Sequence, residues 1–305
     1  MRLTILGGGG FRVPLVYQAL LGDRGAGRIT SVVLYDADRT RLASIGAVLR
    51  QQAAGMPVPG VDSAPLDPPV VTETTDLDEA LRGADFIFSA IRVGGLEGRT
   101  VDERVALDLG VLGQETVGAG GIAYGLRTLP VAVSIAQRIA AVAPEAWVIN
   151  FTNPAGMVTE AMIPYLGDRV IGICDSPSGL GRRAALALGV DPSTAFYDYA
   201  GLNHLGWLRG LRSGGVDRLP ALLESSAALS SFEEGRLFGA DWVRSLGCNP
   251  NEYQHYYYFA RETLAAVQGV RQTRGTFLLE QQSAFYAQTE RHPEQALELW
   301  QKTRA

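Results

Sequence analysis

Residues 3–36 read LTILGGGGFRVPLVYQALLGDRGAGRITSVVLYD, and this stretch decides the fold class of the chain. The continuous apolar run Leu3–Leu6 predicts a buried parallel strand, which four glycines follow directly. A helix is predicted after them, because Pro14 suits a first helical turn and apolar residues then recur at helical spacing. The β-branched run Ile29–Tyr35 predicts a second strand, which ends in Asp36. The segment therefore reads as a βαβ unit with glycines at its first turn and an acid after its second strand.

The glycine turn and the acid together point to dinucleotide binding. The turn consists of Gly7, Gly8, Gly9 and Gly10. Glycines let the backbone approach a pyrophosphate closely, and the N-terminus of a helix offers N–H groups to it. The carboxylate of Asp36 could hold ribose hydroxyls, which favours NAD, but Arg39 and Arg41 could accept the 2′-phosphate of NADP. The spacing departs from a strict G-x-G-x-x-G, so a tight turn without a ligand is the alternative interpretation.

Strands and helices keep alternating along the first half of the chain. Further strands are predicted at Ala84–Ile91, Ala146–Phe151 and Arg169–Cys174, and a helix is predicted at Ile122–Val142. This alternation indicates an α/β fold with a doubly wound, mostly parallel, Rossmann-like sheet. We expect a dinucleotide-binding domain over residues 1–172 and an α+β domain for metal and substrate over residues 173–305.

The bulk composition argues against several other classes of protein. The chain has 305 residues and a net charge of −5 without a basic block, so no nucleic-acid partner is expected. No uninterrupted apolar run of membrane-spanning length stands out, so no membrane partner is expected. Two cysteines do not make a disulfide framework, and a cytoplasmic location is the expectation.

Polar residues follow several predicted strands, at the edge where ligands bind in doubly wound sheets. The thiolate of Cys174 and a neutral imidazole from His204 could share one divalent cation, such as Zn, Mn, Fe, Co or Ni. The cysteine could equally be a small buried hydrophobic residue, and the histidine a hydrogen-bonded loop residue. The residues by themselves favour these ordinary roles.

Three further strand-end residues have a chemical and an ordinary interpretation. Arg92 could bind a phosphate through its planar guanidinium, or form a surface ion pair. Asn153 could hydrogen-bond to substrate hydroxyls, or simply begin an Asn-Pro turn. Asp175 could donate a proton, or cap the helix that follows it.

The densest aromatic cluster is YQHYYY at residues 253–258. On a helix, Tyr253, Tyr256 and Tyr257 would share one face. Most such tyrosines are core or interface residues. A tyrosine beside a metal and a cationic group can instead have a lowered pKa and act as a base.

Five motifs occur in a fixed order along the chain: GGGG after the first strand, IRVGGLEGRTVDERVALDLGVLGQETVGAGG, VINFTNPAGMVTEA, IGICDSP and YAGLNHLGW. Together they resemble the family 4 glycoside hydrolases, the NAD- and metal-dependent enzymes that include 6-phospho-β-glucosidases, 6-phospho-α-glucosidases and α-galactosidases. The resemblance runs from Met1 to about Leu208 and continues more loosely through the segment around Tyr253. Such NAD-dependent glycosidases do not use the usual pair of carboxylates.

The resemblance implies redox-assisted elimination and a set of residues that carry it out. Hydride passes from sugar C3 to NAD, a base removes the C2 proton, the C1–O bond breaks, water adds, and hydride returns. Cys174 and His204 match the ligands of the metal, for which Mn²⁺ is favoured, and Asn153 matches a substrate contact near it. Arg92 matches a residue that binds the sugar phosphate, and Arg274 is a candidate for a second phosphate contact.

The acid–base groups leave the anomer open. Tyr253 matches the base at C2, with Tyr256 as the runner-up because the local spacing is ambiguous. Asp175 resembles the acid of α-acting members, which is thought to protonate the leaving group. The string CDSPSG, however, resembles a branch usually called 6-phospho-β-glucosidases, and we therefore favour a 6-phospho-β-glucosidase.

Family members carry a further stretch after the equivalent of Ala305, so the C-terminal part of the second domain is expected to be missing from this chain. A homo-oligomer is also expected. The main competing hypothesis is an NAD-dependent dehydrogenase of the malate or lactate type, which shares the architecture of the first half. The sequence is also compatible with an α-glycosidase or α-galactosidase of the same family, and with a sugar-phosphate sensor that has no turnover.

Overall fold

The computed structural model describes residues 1–55, 67–270 and 272–304. The chain divides into two compact units. The first comprises Met1–Leu109, Gly113–Ile173 and the C-terminal segment 272–304, and the second comprises Gly110–Leu112 and Cys174–Val270. The expected boundary after residue 172 thus lies one residue from the division after Ile173. The C-terminal segment, which the sequence assigned to the second domain, belongs instead to the first unit.

Within its described residues, the first unit begins with six parallel strands and six helices. The strands are β1 (Arg2–Leu6), β2 (Ser31–Tyr35), β3 (Val70–Thr74), β4 (Phe86–Ser89), β5 (Trp147–Asn150) and β6 (Val170–Gly172). The helices are α1 (Val13–Gly22), α2 (Arg39–Ala53), α3 (Leu77–Leu81), α4 (Gly95–Asp108), α5 (Gly118–Val142) and α6 (Ala155–Leu166). The strand order β3-β2-β1-β4-β5-β6 is that of doubly wound dinucleotide-binding sheets, which confirms the expected fold class.

The central strand β1 is buried on both faces, as its continuous apolar run predicted. Leu3 is 6% exposed, and Ile5 and Leu6 are fully buried. The edge strand β3, by contrast, is not predicted from the sequence. It reads VVTET and pairs on one side with β2, so its alternating polar residues weaken the apolar signal.

Helix α5 is the one described helix that is long and apolar enough, by length and composition alone, to cross a membrane. It is not an uninterrupted apolar run, because it contains Arg127 and Arg138. Its apolar side chains Ala132, Ile135, Ala136 and Ile139 are buried in one cluster with Val148 of β5. We therefore interpret α5 as a core helix that packs on the sheet.

The second unit surrounds a small antiparallel sheet. Its described elements are α7 (Ser176–Ala187), β7 (Phe196–Leu202), β8 (Leu205–Ser213), β9 (Val216–Asp217), α8 (Leu219–Glu224), α9 (Ser226–Ser230), α10 (Glu233–Phe238), α11 (Ala240–Leu246), β10 (Asn249–Pro250), α12 (His255–Tyr258) and α13 (Ala260–Gln268). The sheet runs β10-β8-β7, and β9 pairs with β8. Asn203 and His204 form the tight turn between β7 and β8, because Leu202 pairs with Leu205.

Two C-terminal helices complete the first unit: α14 (Arg274–Arg291) and α15 (Ala296–Arg304). Phe285, Tyr286, Leu297 and Trp300 are buried in the same cluster as residues of β1, β2 and α2. This apolar face is the physical reason why the segment belongs with the sheet. Its helical pattern reveals an apolar face, but not which core that face covers.

Candidate functional site

The glycine turn after β1 is packed so tightly that side chains do not fit. Gly7 has φ 82°, a left-handed conformation that favours glycine. A Cβ on Gly7 would lie 2.6 Å from the carbonyl oxygen of Ala90, and a Cβ on Gly8 would lie 2.7 Å from Cβ of Leu34. The turn leads into α1, which has a proline in its first turn as the sequence predicted. The described turn therefore has the backbone and helix N-terminus that a pyrophosphate requires.

Asp36 lies directly against this turn. Its Oδ2 accepts a hydrogen bond from the backbone N–H of Gly9 at 3.0 Å, and its Oδ1 accepts one from the N–H of Asp38 at 3.0 Å. A carboxylate has about four lone-pair positions, so both oxygens can accept further hydrogen bonds. The structure thus brings together the glycines and the acid that the sequence singled out for the cofactor.

Two aromatic residues from the C-terminal helices support the glycine turn, and sequence reasoning missed both. The hydroxyl of Tyr286 donates a hydrogen bond to the carbonyl oxygen of Gly9 at 2.6 Å. The indole N–H of Trp300 donates to the carbonyl oxygen of Phe11 at 2.8 Å. Both look like ordinary core aromatics in the sequence, so no local signal could have found them.

Arg92, the candidate phosphate ligand, lies in a charged network. It forms an ion pair with Glu115, and its guanidinium carbon lies 5.5 Å from the ring centre of Tyr124. Glu115 also accepts a hydrogen bond from Arg99 at 2.6 Å, and Arg99 pairs with Glu103 at 2.7 Å. Arg92 therefore forms an ion pair with a partly buried acid rather than one at the surface, and its binding of a phosphate stays a prediction.

The same network reaches the helix that begins at Arg274. The backbone N–H of Gly275 donates to Oε2 of Glu103 at 2.8 Å, which ties the N-terminus of α14 to α4. Arg274 is exposed, and its guanidinium carbon lies 5.0 Å from the ring centre of Phe277. Arg92 is thus linked to the N-terminus of the helix that carries Arg274 through Glu115, Arg99 and Glu103, none of which sequence reasoning had proposed for this role.

Asn153 lies in the loop after β5 and precedes Pro154 through a cis peptide bond. Two buried neighbours hold this loop. The amide of Asn150 donates to the carbonyl oxygen of Ala155 at 3.3 Å, and the hydroxyl of Thr152 accepts from the N–H of Ile91 at 3.0 Å. These contacts connect the loops after β4 and β5, from which Arg92 and Asn153 respectively project.

Cys174 and His204 lie next to each other in the second unit. Their Sγ and Nε2 atoms are 3.4 Å apart, which for bonds of about 2.3 Å to sulfur and 2.0 Å to nitrogen corresponds to an angle of about 100° at a shared ion. This donor set and spacing fit a divalent metal. Among the described residues, no group of three or more His, Cys, Asp or Glu side chains could hold one, so this pair would supply two ligands and leave positions for substrate oxygens.

Burial holds the imidazole of His204 in one place and favours the protonated thiol of Cys174. His204 is 6% exposed and has φ 57°, an uncommon left-handed conformation for a residue other than glycine. Burial raises the pKa of the Cys174 thiol. A metal ion would reverse this effect, because coordination stabilises the thiolate.

Tyr253 stacks on the candidate metal ligand. Its ring centre lies 3.6 Å from that of His204 with the planes 5° apart, whereas Tyr256 lies 5.9 Å from Tyr253. The expected shared helical face is wrong in detail, because Glu252–Gln254 is a 3₁₀ turn and the helix begins only at His255. Asn251 caps this turn by accepting from the N–H of Tyr253 at 3.0 Å. The stacking favours Tyr253 over Tyr256 as the candidate base.

Asp175 stands at the N-cap position of α7, but its side chain makes no capping hydrogen bond. Its Oδ1 lies 4.0 Å from the sulfur of Cys174. The next residue, Ser176, donates a hydrogen bond to Oε1 of Glu252 at 2.5 Å. Burial raises the pKa of Glu252. Glu252 and Ser176, which sequence reasoning missed, therefore connect the segment of Cys174 to the turn of Tyr253.

Comparison with known protein families identifies both parts of the chain. A model described as family 4 glycosyl hydrolase matches residues 2–190, and the model for the C-terminal domain of that family matches residues 199–304. A probable 6-phospho-beta-glucosidase of Bacillus subtilis (strain 168) is 32% identical over 286 residues, 90% of this chain and 62% of that protein. The 6-phospho-beta-glucosidase of Escherichia coli (strain K12) is 41% identical over 65% of this chain and 46% of its own length. A 6-phospho-alpha-glucosidase of Lacticaseibacillus paracasei is 33% identical over 85% of this chain and 60% of its own length. The chain thus spans about half to two thirds of these relatives.

Solved structures match over the whole described fold. The 6-phospho-beta glucosidase of Thermotoga maritima, solved with manganese, NAD⁺ and glucose-6-phosphate, has a TM-score of 0.82 at 25% identity and covers 100% of this chain and 68% of its own. A 6-phospho-alpha-glucosidase from gut microorganisms, solved with NAD and Mn²⁺, has a TM-score of 0.77 at 26% identity. The match covers 99% of this chain and 68% of that one. A lactate dehydrogenase of Eimeria maxima matches with a TM-score of 0.54 at 16% identity over 86% of this chain and 74% of its own, a likeness of fold alone.

Proposed function

The chain belongs to the family 4 glycosyl hydrolases, and we propose that it hydrolyses 6-phosphoglucosides with NAD and a divalent metal ion, Mn²⁺ being the first choice. The observation that carries this proposal is the 3.4 Å approach of Cys174 to His204, with Tyr253 stacked on the imidazole at 3.6 Å. These three residues supply two metal ligands and a base. The NAD, manganese and glucose-6-phosphate named in the solved relatives support the same chemistry.

In this proposal, NAD at the glycine turn would supply reversible hydride transfer at C3 of the sugar, and a divalent ion held by Cys174 and His204 would polarise the C3 oxygen, so that the C2 proton becomes acidic. The glycine turn and the N-terminus of α1 bind the pyrophosphate of the cofactor. Asp36 accepts hydrogen bonds from the ribose hydroxyls. The first unit therefore provides the redox part of the reaction.

The second unit provides the metal ligands and the acid–base groups. Cys174 and His204 hold the ion, and Tyr253 removes the C2 proton as a phenolate, a form that a neighbouring divalent cation favours. Asp175 donates a proton to the oxygen of the leaving group. Water then adds to C1 of the eliminated sugar while C2 regains a proton, so the reaction needs neither the nucleophilic carboxylate nor the general-base carboxylate of most glycosidases.

Substrate recognition relies on residues of the first unit. Arg92 and Arg274 bind the 6-phosphate, and the planar guanidinium of each can donate two parallel hydrogen bonds to it. Asn153 contacts a sugar hydroxyl. We favour the β-anomer because the string CDSPSG resembles the β-acting branch. The expected homo-oligomeric state and cytoplasmic location stay predictions.

Four chromogenic substrates test the reaction: the 4-nitrophenyl α- and β-glucosides, each with and without a 6-phosphate. We expect cleavage of the β-linked 6-phosphate only, and only when NAD and Mn²⁺ are both present, without net accumulation of NADH. Cleavage of the α-linked 6-phosphate instead would contradict the proposed preference for the β-anomer but agree with the proposed class of reaction. Cleavage that persists after both NAD and metal are removed would contradict the mechanism, and stoichiometric NADH would favour a dehydrogenase.

The two cysteines of the chain provide a matched pair of variants. Cys174→Ser should abolish activity, remove the sulfur-to-cobalt charge-transfer band and weaken Co²⁺ binding measured by isothermal titration calorimetry. Cys248→Ser, which changes the other thiol of the same unit, should leave all three unchanged. His204→Gln should likewise abolish activity and weaken Co²⁺ binding. Full turnover in either ligand variant would refute the assignment of the metal site.

A further inference from the structure

Tyr286 makes two different contacts at the glycine turn. Its hydroxyl donates to the carbonyl oxygen of Gly9 at 2.6 Å, and the side chain is almost fully buried. Burial raises the pKa of Tyr286 to about 12, so the hydroxyl keeps its proton at neutral pH and remains a donor. The first contact therefore fixes the backbone on which the pyrophosphate would lie.

The second contact holds a cationic side chain. The guanidinium carbon of Arg41 lies over the ring of Tyr286, 4.5 Å from its centre. Arg41 is in the first turn of α2, and a Cβ placed on Gly9 would lie 2.9 Å from Cβ of Arg41. Arg41 is thus adjacent to the glycine turn, where an arginine can accept the 2′-phosphate of NADP.

The carboxylate of Asp36 supplies a negative charge beside the glycine turn. Both oxygens of Asp36 accept hydrogen bonds from backbone N–H groups, those of Gly9 and Asp38, so the carboxylate is held beside the turn. A fixed carboxylate accepts hydrogen bonds from the two ribose hydroxyls of NAD and repels a 2′-phosphate. Arg39, the other candidate for a 2′-phosphate, is exposed and donates a hydrogen bond to the hydroxyl of Thr75 at 3.4 Å. The balance between the two cofactors then depends on whether the guanidinium of Arg41 can offset that repulsion.

We propose that Tyr286 determines the cofactor preference: it keeps Arg41 stacked on its ring, unavailable to a 2′-phosphate, and leaves Asp36 to recognise the ribose of NAD. This inference rests on the proposed function, because it requires a nicotinamide dinucleotide at the glycine turn. It assigns to the C-terminal helix α14 a role in cofactor choice that the βαβ motif alone does not contain.

Two substitutions of Tyr286 separate the hydroxyl from the ring. Tyr286→Phe keeps the ring under Arg41 and loses the hydroxyl, which donates to Gly9 and also interacts with the side chain of Arg41; it should weaken the binding of NAD and NADP by about 5-fold. Tyr286→Leu removes the stacking as well, so it should shift the ratio of the dissociation constants further toward NADP, by about 2- to 30-fold relative to Tyr286→Phe. Adding Arg41→Ala to Tyr286→Leu should restore the original ratio, because the released guanidinium is then gone.

Tyr17 offers the matched control. It is a fully buried tyrosine of the same unit, and its hydroxyl donates to the carbonyl oxygen of Pro69 at 2.8 Å. Tyr17→Phe and Tyr17→Leu remove the same atoms from a core tyrosine whose hydroxyl binds Pro69 instead of the glycine turn, and should leave the NAD to NADP ratio unchanged. Both dissociation constants are measured by isothermal titration calorimetry, after circular dichroism has shown that each variant is folded.

The outcomes separate this inference from the proposed function. If the unmodified chain binds neither dinucleotide, the proposed function fails and the inference fails with it. If it binds NAD but Tyr286→Leu leaves the ratio unchanged, or Arg41→Ala does not restore it, the inference alone is overturned. If Tyr286→Leu does not fold, the single variant Arg41→Ala tests the inference through the same ratio of dissociation constants. An unchanged ratio supports the stacked, unavailable guanidinium, and a ratio shifted further against NADP overturns it.

Discussion

Replacing Glu115 by glutamine tests whether the ion-pair network of Arg92, Glu115, Arg99 and Glu103 stabilises the first unit. Glu115 is the shared counter-ion of Arg92 and Arg99; its side chain and that of Arg99 are each 11% exposed, and their charged atoms are 2.6 Å apart. Glutamine keeps the shape and removes the charge. Breaking a buried ion pair costs about 3–5 kcal/mol, and partial solvent screening of Arg92 reduces this value. We therefore expect the free energy of unfolding to fall by about 2–4 kcal/mol.

The assay is urea unfolding followed by circular dichroism, without cofactor, metal or substrate. Glu145→Gln is the matched control, because Glu145 pairs with Arg169 at the same distance of 2.6 Å but is 85% exposed. An exposed pair contributes little, so this control should lose less than about 1 kcal/mol. Equal losses in the two variants, or no loss in Glu115→Gln, would refute the reasoning that burial makes the network stabilising.

Three further predictions concern the cofactor, the base and the buried acid. Asp36→Asn should weaken NAD binding by about 10-fold in calorimetry, because a charge-assisted hydrogen bond to the ribose becomes a neutral one; unchanged affinity would speak against ribose recognition by this residue. Tyr253→Phe should retain Co²⁺ binding yet abolish deuterium incorporation at C2 of the product in D₂O, measured by NMR; continued exchange would assign the base to another group. Burial raises the pKa of Glu252, so the folded state holds its proton more tightly than the unfolded state, and this contribution to stability is lost as the pH rises from the usual pKa of a glutamate through the raised one. Glu252→Gln should therefore become progressively more stable relative to the unmodified chain over that range in urea unfolding, and a constant difference would contradict it.

Much of the first unit could be predicted from the sequence, because its signals are local. A continuous apolar run, a glycine turn and a terminal acid lie within residues 3–36, and they correctly predict β1, α1 and β2. The contact between Asp36 and Gly9 follows from that motif. The edge strand β3 could not be predicted in the same way, because a strand with one neighbour is only partly buried and carries a mixed pattern.

The metal and base candidates required both kinds of information. The sequence identified Cys174, His204 and Tyr253 through motif order, while their own surroundings in the chain favoured ordinary structural roles. The hairpin between β7 and β8 brings the imidazole to the thiol, and a 3₁₀ turn stacks the phenol on it. Their proximity is a property of the folded second unit, since residues that are distant in the chain have no periodic relation.

The sequence by itself determined the class of fold, the order of the motifs and the residue types available for cofactor, metal and phosphate. The tertiary structure alone decided which side chains support them: Tyr286 donates to Gly9 across 277 residues of chain, and Glu103 ties α4 to α14 across 172. Hydrophobic periodicity and glycine conformations act over a few residues, so they can be recognised in a linear sequence. Hydrogen bonds and ion pairs between distant segments depend on which core each amphipathic helix covers, and that is decided only when the chain packs.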